Sequence, residues 1–169
     1  MIILGIDPGT ARTGFGVVQK EQGSALRCLA FGCIETPKED KPEHRLLLLE
    51  KEVQKLLRKY RPDLVGIEKL FFARNVSTAL PVSEARGVVL VSASRAGVPV
   101  MEFTPLQVKM AIGGYGRAEK RQVQRMVKEI LGLALIPEPD DAADALGVAI
   151  ACSLGAKAVP MVDKPTPLD

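Results

Sequence analysis

Histidine and paired cysteines are scarce in this sequence, and their scarcity argues against several kinds of site. The chain has one histidine, His44, so a histidine-rich metal site or a histidine-based proton relay is not expected. Its three cysteines, Cys28, Cys33 and Cys152, form no CxxC pair, which argues against a zinc site and a disulfide framework. We expect all three to be buried packing residues. A metal site would therefore use carboxylates, which suit Mg²⁺ or Mn²⁺.

Long apolar runs are also lacking. No stretch approaches the roughly 20 residues that a transmembrane helix needs, so no membrane partner is expected. The N-terminal apolar run has no basic segment before it and is interrupted by Asp7. We therefore expect a strand rather than a signal peptide, and a cytoplasmic protein. The 169 residues, 47% of them hydrophobic, favour one domain with a sizeable core. A net charge of +3 permits an anionic partner without requiring one.

Hydrophobic periodicity predicts an α/β fold with a five-stranded mixed sheet flanked by helices. Strands are predicted at 2–6, 13–18, 26–35, 64–67 and 98–103. Short connections make the first three an antiparallel meander. A helix from Pro42 to Tyr60 then forms a crossover, so the fourth strand should lie parallel to the first. The domain is expected to span 1–155, followed by a flexible, proline-containing tail at 156–169.

Four further helices are predicted after the fourth strand. They cover about 77–96, a short segment that starts at Thr104-Pro105, 118–131 with Gly132 as its C-cap, and about 141–154 with Asp140 as its cap. Pro81 either kinks the first of these helices or resets its start.

A single carboxylate closes the first strand. Asp7 follows the apolar run, and Pro8-Gly9-Thr10 turns the chain after it. A carboxylate at the end of a buried strand is costly unless it is paired or binds a cation. Aspartate also caps turns readily. This stretch alone does not choose between a cation site and a turn cap.

Glu68 is predicted to lie beside Asp7. It ends the fourth strand, and sites in parallel α/β sheets form beyond the carboxyl ends of neighbouring strands. A salt bridge between Glu68 and Lys69 or Arg74 is the simpler alternative.

The last helix begins with three aspartates. Asp141 and Asp144 are spaced i, i+3 and share a face, and neighbouring alanines let the helix approach the sheet closely. Asp140 alone would satisfy N-terminal capping, and capping does not explain Asp144. The spacing leaves open whether Asp140 or Asp141 would bind a cation together with Asp144. Asp7, Glu68, Asp141 and Asp144 would repel one another without divalent metal. Two Mg²⁺ ions would neutralise them and support two-metal phosphodiester hydrolysis.

Five sequence blocks occur in an order that is specific as a set. They are GIDPGTARTGFGVV, IEKLFF, ARGV, QVKMAIGGYGRAEKRQVQRMV and DDAADAL. With these blocks, which cover the chain from Met1 to about Ser153, the sequence resembles the RuvC-type Holliday junction resolvases of bacteria.

The resemblance implies a ribonuclease H-like fold, a homodimer and Mg²⁺-dependent nicking of two opposed strands at a four-way DNA junction. It also implies 5′-phosphate and 3′-hydroxyl ends, and RuvA and RuvB branch-migration proteins as partners. The family's four catalytic acids fall on Asp7, Glu68, Asp141 and Asp144, which selects Asp141 over Asp140. Its basic residues near the junction match Lys109 and Lys120, and its aromatic after the second acid matches Phe71.

Basic residues crowd one region near Lys109. They are Arg117, Lys120, Arg121, Arg125 and Lys128. A solvated surface face would explain such a charge run. The neighbouring glycine-rich loop favours phosphate binding instead, with Tyr115 placed to stack on a base. The resemblance also favours Phe71 as a base-stacking wedge, which Arg74 would assist by contacting phosphate.

Paired cuts at a symmetric junction predict two chains, because each chain has one carboxylate cluster. The apolar surplus of the helix from Ser83 to Ala96 makes it the candidate interface. Burial of this helix in the core of one protomer would explain the same surplus.

Other function classes remain to be weighed. An actin-like phosphotransferase would explain Asp7 to Thr10, but it needs a second lobe for which 169 residues leave no room. A non-catalytic junction-binding module would bind without Mg²⁺-stimulated nicking. A nuclease of the same fold acting on RNA would use the same carboxylates.

Overall fold

A five-stranded mixed sheet forms the centre of the molecule, in a computed structural model that describes residues 1–21, 25–69 and 76–155. The strands are β1 (Ile2–Asp7), β2 (Arg12–Lys20), β3 (Leu26–Glu35), β4 (Leu64–Glu68) and β5 (Val100–Phe103). Their order is β3-β2-β1-β4-β5. The first three strands pair antiparallel, whereas β4 lies parallel to β1 and β5 lies parallel to β4. The predicted sheet is confirmed; β5 begins two residues later than expected, at Val100.

Five helices flank the sheet in the described part of the chain. They are α1 (Pro42–Tyr60), α2 (Val76–Arg95), α3 (Pro105–Gly113), α4 (Lys120–Ile130) and α5 (Asp140–Gly155). Pro81 lies inside α2 rather than at its start. Thr104 caps α3 through a capping box, since its hydroxyl accepts from the Gln107 N–H and the Gln107 side chain accepts from the Thr104 N–H. The predicted tail, 156–169, lies outside the described residues.

The helices form one layer on each face of the sheet. Leu4 and Ile6 of β1 pack with α1 and α2, while Ile3 packs with α3, α4 and α5. This alternation follows from the two-residue period of a strand. Because both faces are covered, β1 is buried along most of its length, and its terminal carboxylate emerges at the edge where the layers end.

Glycines let α5 lie directly against the sheet. We call Gly5, Gly14, Gly16 and Gly66 the glycine stripe; they face α5 from β1, β2 and β4. A Cβ on Gly5 would lie 2.2 Å from the carbonyl oxygen of Ala145, and one on Gly14 would lie 1.9 Å from that of Asp141. These distances are too short for a methyl group. The stripe therefore sets how closely the carboxylates of α5 approach the end of β1.

The cysteines differ in burial. Cys152 is buried in α5, but Cys28 and Cys33 are only half-buried, so the expectation that all three are buried is wrong for these two. Both lie on β3, an edge strand whose neighbours cover one side only.

Among the described helices, none is long and apolar enough to cross a membrane.

Candidate active site

Two acids lie side by side where β1 and β4 end. The parallel register pairs Ile6 with Ile67, so Asp7 and Glu68 follow at the same edge of the sheet. The turn after Asp7 is closed by Thr13, whose hydroxyl donates to the Gly9 carbonyl oxygen at 2.6 Å and accepts from the Gly9 N–H. Thr13 thus stabilises this turn, so a turn-capping role of the Asp7 carboxylate is not needed to explain it.

Helix α5 brings Asp141 and Asp144 towards this pair. Burial first, and then the negative charges of Glu68, Asp144 and Asp141, together raise the pKa of Asp7 to about 8, although the positive charge of Lys120 opposes the shift. Burial and the charge of Asp144 likewise raise the pKa of Glu68 to about 7. Burial also raises the pKa of Asp144. The four predicted acids therefore share one electrostatic environment, which we call the carboxylate cluster.

The simpler interpretation of Glu68, a salt bridge with Lys69, does not hold. Lys69 Nζ instead lies 3.8 Å from Glu102 Oε2 of β5, and Arg86 of α2 pairs with the same carboxylate. Glu68 is therefore left facing the carboxylate cluster. The other proposed partner, Arg74, lies outside the described residues.

Lys120 reaches into the carboxylate cluster from the start of α4. Its ammonium nitrogen lies 3.0 Å from Asp144 Oδ2 and 3.2 Å from Asp140 Oδ2. Burial alone would lower the pKa of Lys120, but hydrogen bonds to Asp144 and Asp140 raise it, so the ammonium stays charged. Lys109 of α3 joins it in lining a cleft of about 220 Å³, together with Glu68, Asp144 and apolar neighbours. The cleft combines carboxylates with cations, as binding a metal and a phosphate together would require.

The carboxylate cluster fits a hard divalent cation by its donor chemistry. Its ligands are all oxygens, and their mutual repulsion favours a cation between them. Within the described ranges, no group of three or more His, Cys, Asp or Glu side chains is already arranged to hold one ion. One potential ligand oxygen, Oδ2 of Asp144, is instead bound to Lys120.

Asp141 has two neighbours that the sequence patterns did not identify. Arg12 Nη1 lies 4.0 Å from Asp141 Oδ2, and the Cys33 thiol lies 3.8 Å from the same oxygen. Burial first, and then the Asp141 charge, raise the pKa of Cys33 to about 11, so the thiol stays protonated. The position of Arg12 at the start of β2, directly after the turn that follows Asp7, was the available signal for the first contact.

The sequence predicted that Asp140 caps α5 from outside the helix, and this prediction is wrong. Asp140 is instead the first residue of α5. Its Oδ1 accepts a hydrogen bond from Gln124 Nε2 at 2.9 Å, while Oδ2 pairs with Lys120. The Pro139 carbonyl oxygen accepts from the Ala142 N–H at 2.9 Å and begins the helical hydrogen bonding.

Two of the predicted DNA-contacting residues, Lys109 and Lys120, line the cleft. Arg117 and Arg121 are exposed, and Lys109 is half-buried. Tyr115 is exposed, and its hydroxyl accepts from the Gln122 amide. Phe71 lies outside the described residues. The two lysines thus lie beside the carboxylate cluster, while Arg117 and Arg121 are open to solvent and close to Lys120 along the chain.

We predict that the metal-free protein, kept so by a chelator, is less stable at pH 8 than at pH 5. The pKa of Asp7 is about 8 in the folded chain against an ordinary value of 3.8, so the folded state binds more protons across that window. Stability therefore falls as pH rises through it, by on the order of 4 kcal/mol for Asp7. Glu68 acts in the same direction up to about pH 7. Urea unfolding in EDTA at both pH values measures the effect.

Asp7→Asn provides the control for this pH dependence. The asparagine does not titrate, so the variant should lose most of the stability difference between pH 5 and pH 8. An unchanged difference in the variant would show that other groups cause it.

Comparisons with known proteins agree on one family. The family model described as "RuvC: Crossover junction endodeoxyribonuclease RuvC" matches residues 3–152. A "Crossover junction endodeoxyribonuclease RuvC" from Thermomicrobium roseum is 53% identical over 150 residues, which cover 89% of this chain and 91% of that protein. Together these matches favour a nuclease over an actin-like phosphotransferase.

Solved structures agree with the sequence matches. The Thermus thermophilus RuvC structure superposes with a TM-score of 0.87 at 38% identity, over 94% of this chain and 96% of that one. A second structure, T. thermophilus RuvC in complex with Holliday junction substrate, gives a TM-score of 0.85 at 36% identity, with the same coverage of both chains. The predicted ribonuclease H-like fold is confirmed by this match.

Proposed function

Since this chain belongs to the RuvC family of crossover junction endodeoxyribonucleases, we propose that it resolves four-way (Holliday) DNA junctions by phosphodiester hydrolysis in recombination and repair. The observation that carries the proposal is the meeting of Asp7, Glu68 and Asp144, from two strands and a helix, beside Lys109 and Lys120. An enzyme with this substrate would act in the cytoplasm, where bacterial chromosomes lie.

The carboxylate cluster would hold the metal. Asp7, Glu68, Asp141 and Asp144 are proposed as the catalytic ligands of two Mg²⁺ ions, for which Mn²⁺ could substitute. When bound, these ions would supply Lewis-acid chemistry for the attacking water and the leaving 3′ oxygen, leaving 5′-phosphate and 3′-hydroxyl ends. Asp7 is largely buried, and the lower dielectric around it would strengthen its attraction for a cation.

Cations around the cleft would hold the DNA. Lys109 and Lys120 line the cleft itself, so we propose that they contact phosphates next to the cut. Arg117 and Arg121, which are exposed, would extend the basic surface, and Tyr115 would stack on a base. Phe71 as a base-stacking wedge and Arg74 as a phosphate contact remain proposals based on the family resemblance.

Two copies of the chain would make the paired cuts. The α2 residues Ala85, Val89 and Ala93 are buried in the protomer, but Val91 on the same helix is 55% exposed. The exposed part of α2 is therefore our candidate homodimer contact, while its other face serves the core. RuvA and RuvB are the proposed branch-migration partners.

A synthetic four-way junction tests the proposed activity. Cleavage is compared with that of a linear duplex of the same sequence, with Mg²⁺ and with EDTA. We expect paired symmetric nicks in the junction with Mg²⁺ and no cleavage of the duplex. Tight junction binding without Mg²⁺-stimulated nicking would support a non-catalytic module instead, and equal cleavage of the duplex would exclude junction specificity.

A further inference from the structure

The ammonium of Lys120 lies between two carboxylates that have different places in the site. Asp144 belongs to the carboxylate cluster, whereas the Asp140 side chain lies outside it and is 66% exposed. The two distances from Nζ, 3.0 Å and 3.2 Å, are nearly equal. Lys120 therefore divides its interaction between Asp144, a proposed metal ligand, and Asp140, an exposed carboxylate outside the carboxylate cluster.

Asp140 is itself held in place from α4. Gln124 is buried, and its Nε2 donates to Asp140 Oδ1 at 2.9 Å. Lys120 and Gln124 are spaced i, i+4 and share one face of α4. Gln124 engages one oxygen of Asp140 and leaves the other, Oδ2, for Lys120. The three side chains form a fixed arrangement across the contact between α4 and the start of α5.

Lys120 and a divalent cation would compete for Asp144. The oxygen that accepts from Lys120, Oδ2, is one of the two through which Asp144 could bind a cation in the carboxylate cluster. A lysine with Asp144 as its sole partner would compete strongly for it. A second carboxylate gives the ammonium an alternative partner that the cation does not use.

We propose that Asp140, oriented by Gln124, is a positioning residue that holds Lys120 at the edge of the carboxylate cluster and so eases the release of Asp144 to a divalent cation. The lysine then stays within reach of a DNA phosphate. This proposal rests on the proposed function, because it assumes that the carboxylate cluster binds metal.

Binding of Mn²⁺ alone to the DNA-free protein tests the proposal, by electron paramagnetic resonance or calorimetry. Asp140→Asn should bind Mn²⁺ about three- to fivefold more weakly than the unmodified protein, the size expected for an exposed ion pair. Glu119→Gln removes one negative charge from the exposed residue next to Lys120 and should leave binding unchanged. Equal weakening in both variants would overturn the proposal.

A Lys120→Met background separates positioning from simple loss of charge. Without the lysine, Asp140→Asn should cause no further weakening, because its effect passes through Lys120. A three- to fivefold loss in this background too would mean that Asp140 attracts the cation by its own charge, which would overturn the proposal. If the unmodified protein binds no Mn²⁺ and cuts no junction, the proposed function fails as well. If it binds and cuts but Asp140→Asn matches it, the positioning role alone fails.

Discussion

Asp7→Asn is expected to reduce Mg²⁺-dependent cleavage of a four-way junction by about a thousandfold or more. Asparagine keeps the shape of the side chain but removes the negative charge at the most buried carboxylate of the cluster. Metal assistance contributes several kcal/mol of transition-state stabilisation, and each 1.36 kcal/mol is a factor of ten in rate. Single-turnover cleavage at saturating protein measures the loss directly.

Junction binding should be unchanged by Asp7→Asn, because the lysine and arginine side chains that would contact phosphate remain. A gel-shift or anisotropy titration measures it. Asp40→Asn is a matched control, since Asp40 is an exposed aspartate in the loop before α1, away from the carboxylate cluster. Loss of binding with unchanged cleavage per bound complex would refute the role assigned to Asp7.

The Asp7→Asn substitution should lower activity but raise the free energy of unfolding, which gives a second measurement of its effect. In EDTA at pH 8 the variant should be more stable than the unmodified protein, because it removes a buried charge that its neighbours repel. A protein that keeps such a charge sacrifices stability for function. Lower stability of the variant would indicate instead that Asp7 stabilises the fold.

Local patterns were sufficient to predict most of the framework. The runs that became β1 and β4 are apolar on both faces and end at acids, and one helix between them requires a parallel crossover. Those facts placed Asp7 beside Glu68 without coordinates. The i, i+3 spacing likewise placed Asp141 and Asp144 on one face of α5, as the structure has them.

Side-chain partners across helices were harder to predict. The contact of Lys120 with Asp140 and Asp144 depends on the angle at which α4 meets α5, which periodicity does not encode. A capping role, which the structure does not bear out, would have explained Asp140 locally, so nothing in the sequence suggested a distant partner. The half-buried state of Cys33 likewise depends on β3 being an edge strand beside Asp141.

Gly5→Ala is expected to have the second large effect, because it would force α5 away from the sheet. The added methyl would meet backbone atoms of α5, the Ala145 oxygen at 2.2 Å and the Ala149 nitrogen at 2.6 Å, and backbone cannot rotate aside. We expect a loss of roughly 3 kcal/mol in the free energy of unfolding. A shift of about 1 Å in Asp141 and Asp144 would also reduce cleavage by about a hundredfold. Urea unfolding and junction cleavage measure the two effects.

Two other glycines make this a graded test of the glycine stripe. A Cβ on Gly66 would meet only side-chain atoms of Cys152 and Val148, at 3.0 Å and 3.1 Å, so Gly66→Ala should destabilise less than Gly5→Ala. At Gly113, the last residue of α3, the nearest atom is Met126 Sδ at 3.6 Å, an ordinary contact, so Gly113→Ala should unfold like the unmodified protein. If Gly5→Ala proves as stable as Gly113→Ala, α5 can move without cost. The close approach of α5 would then not be what places its carboxylates beside Asp7.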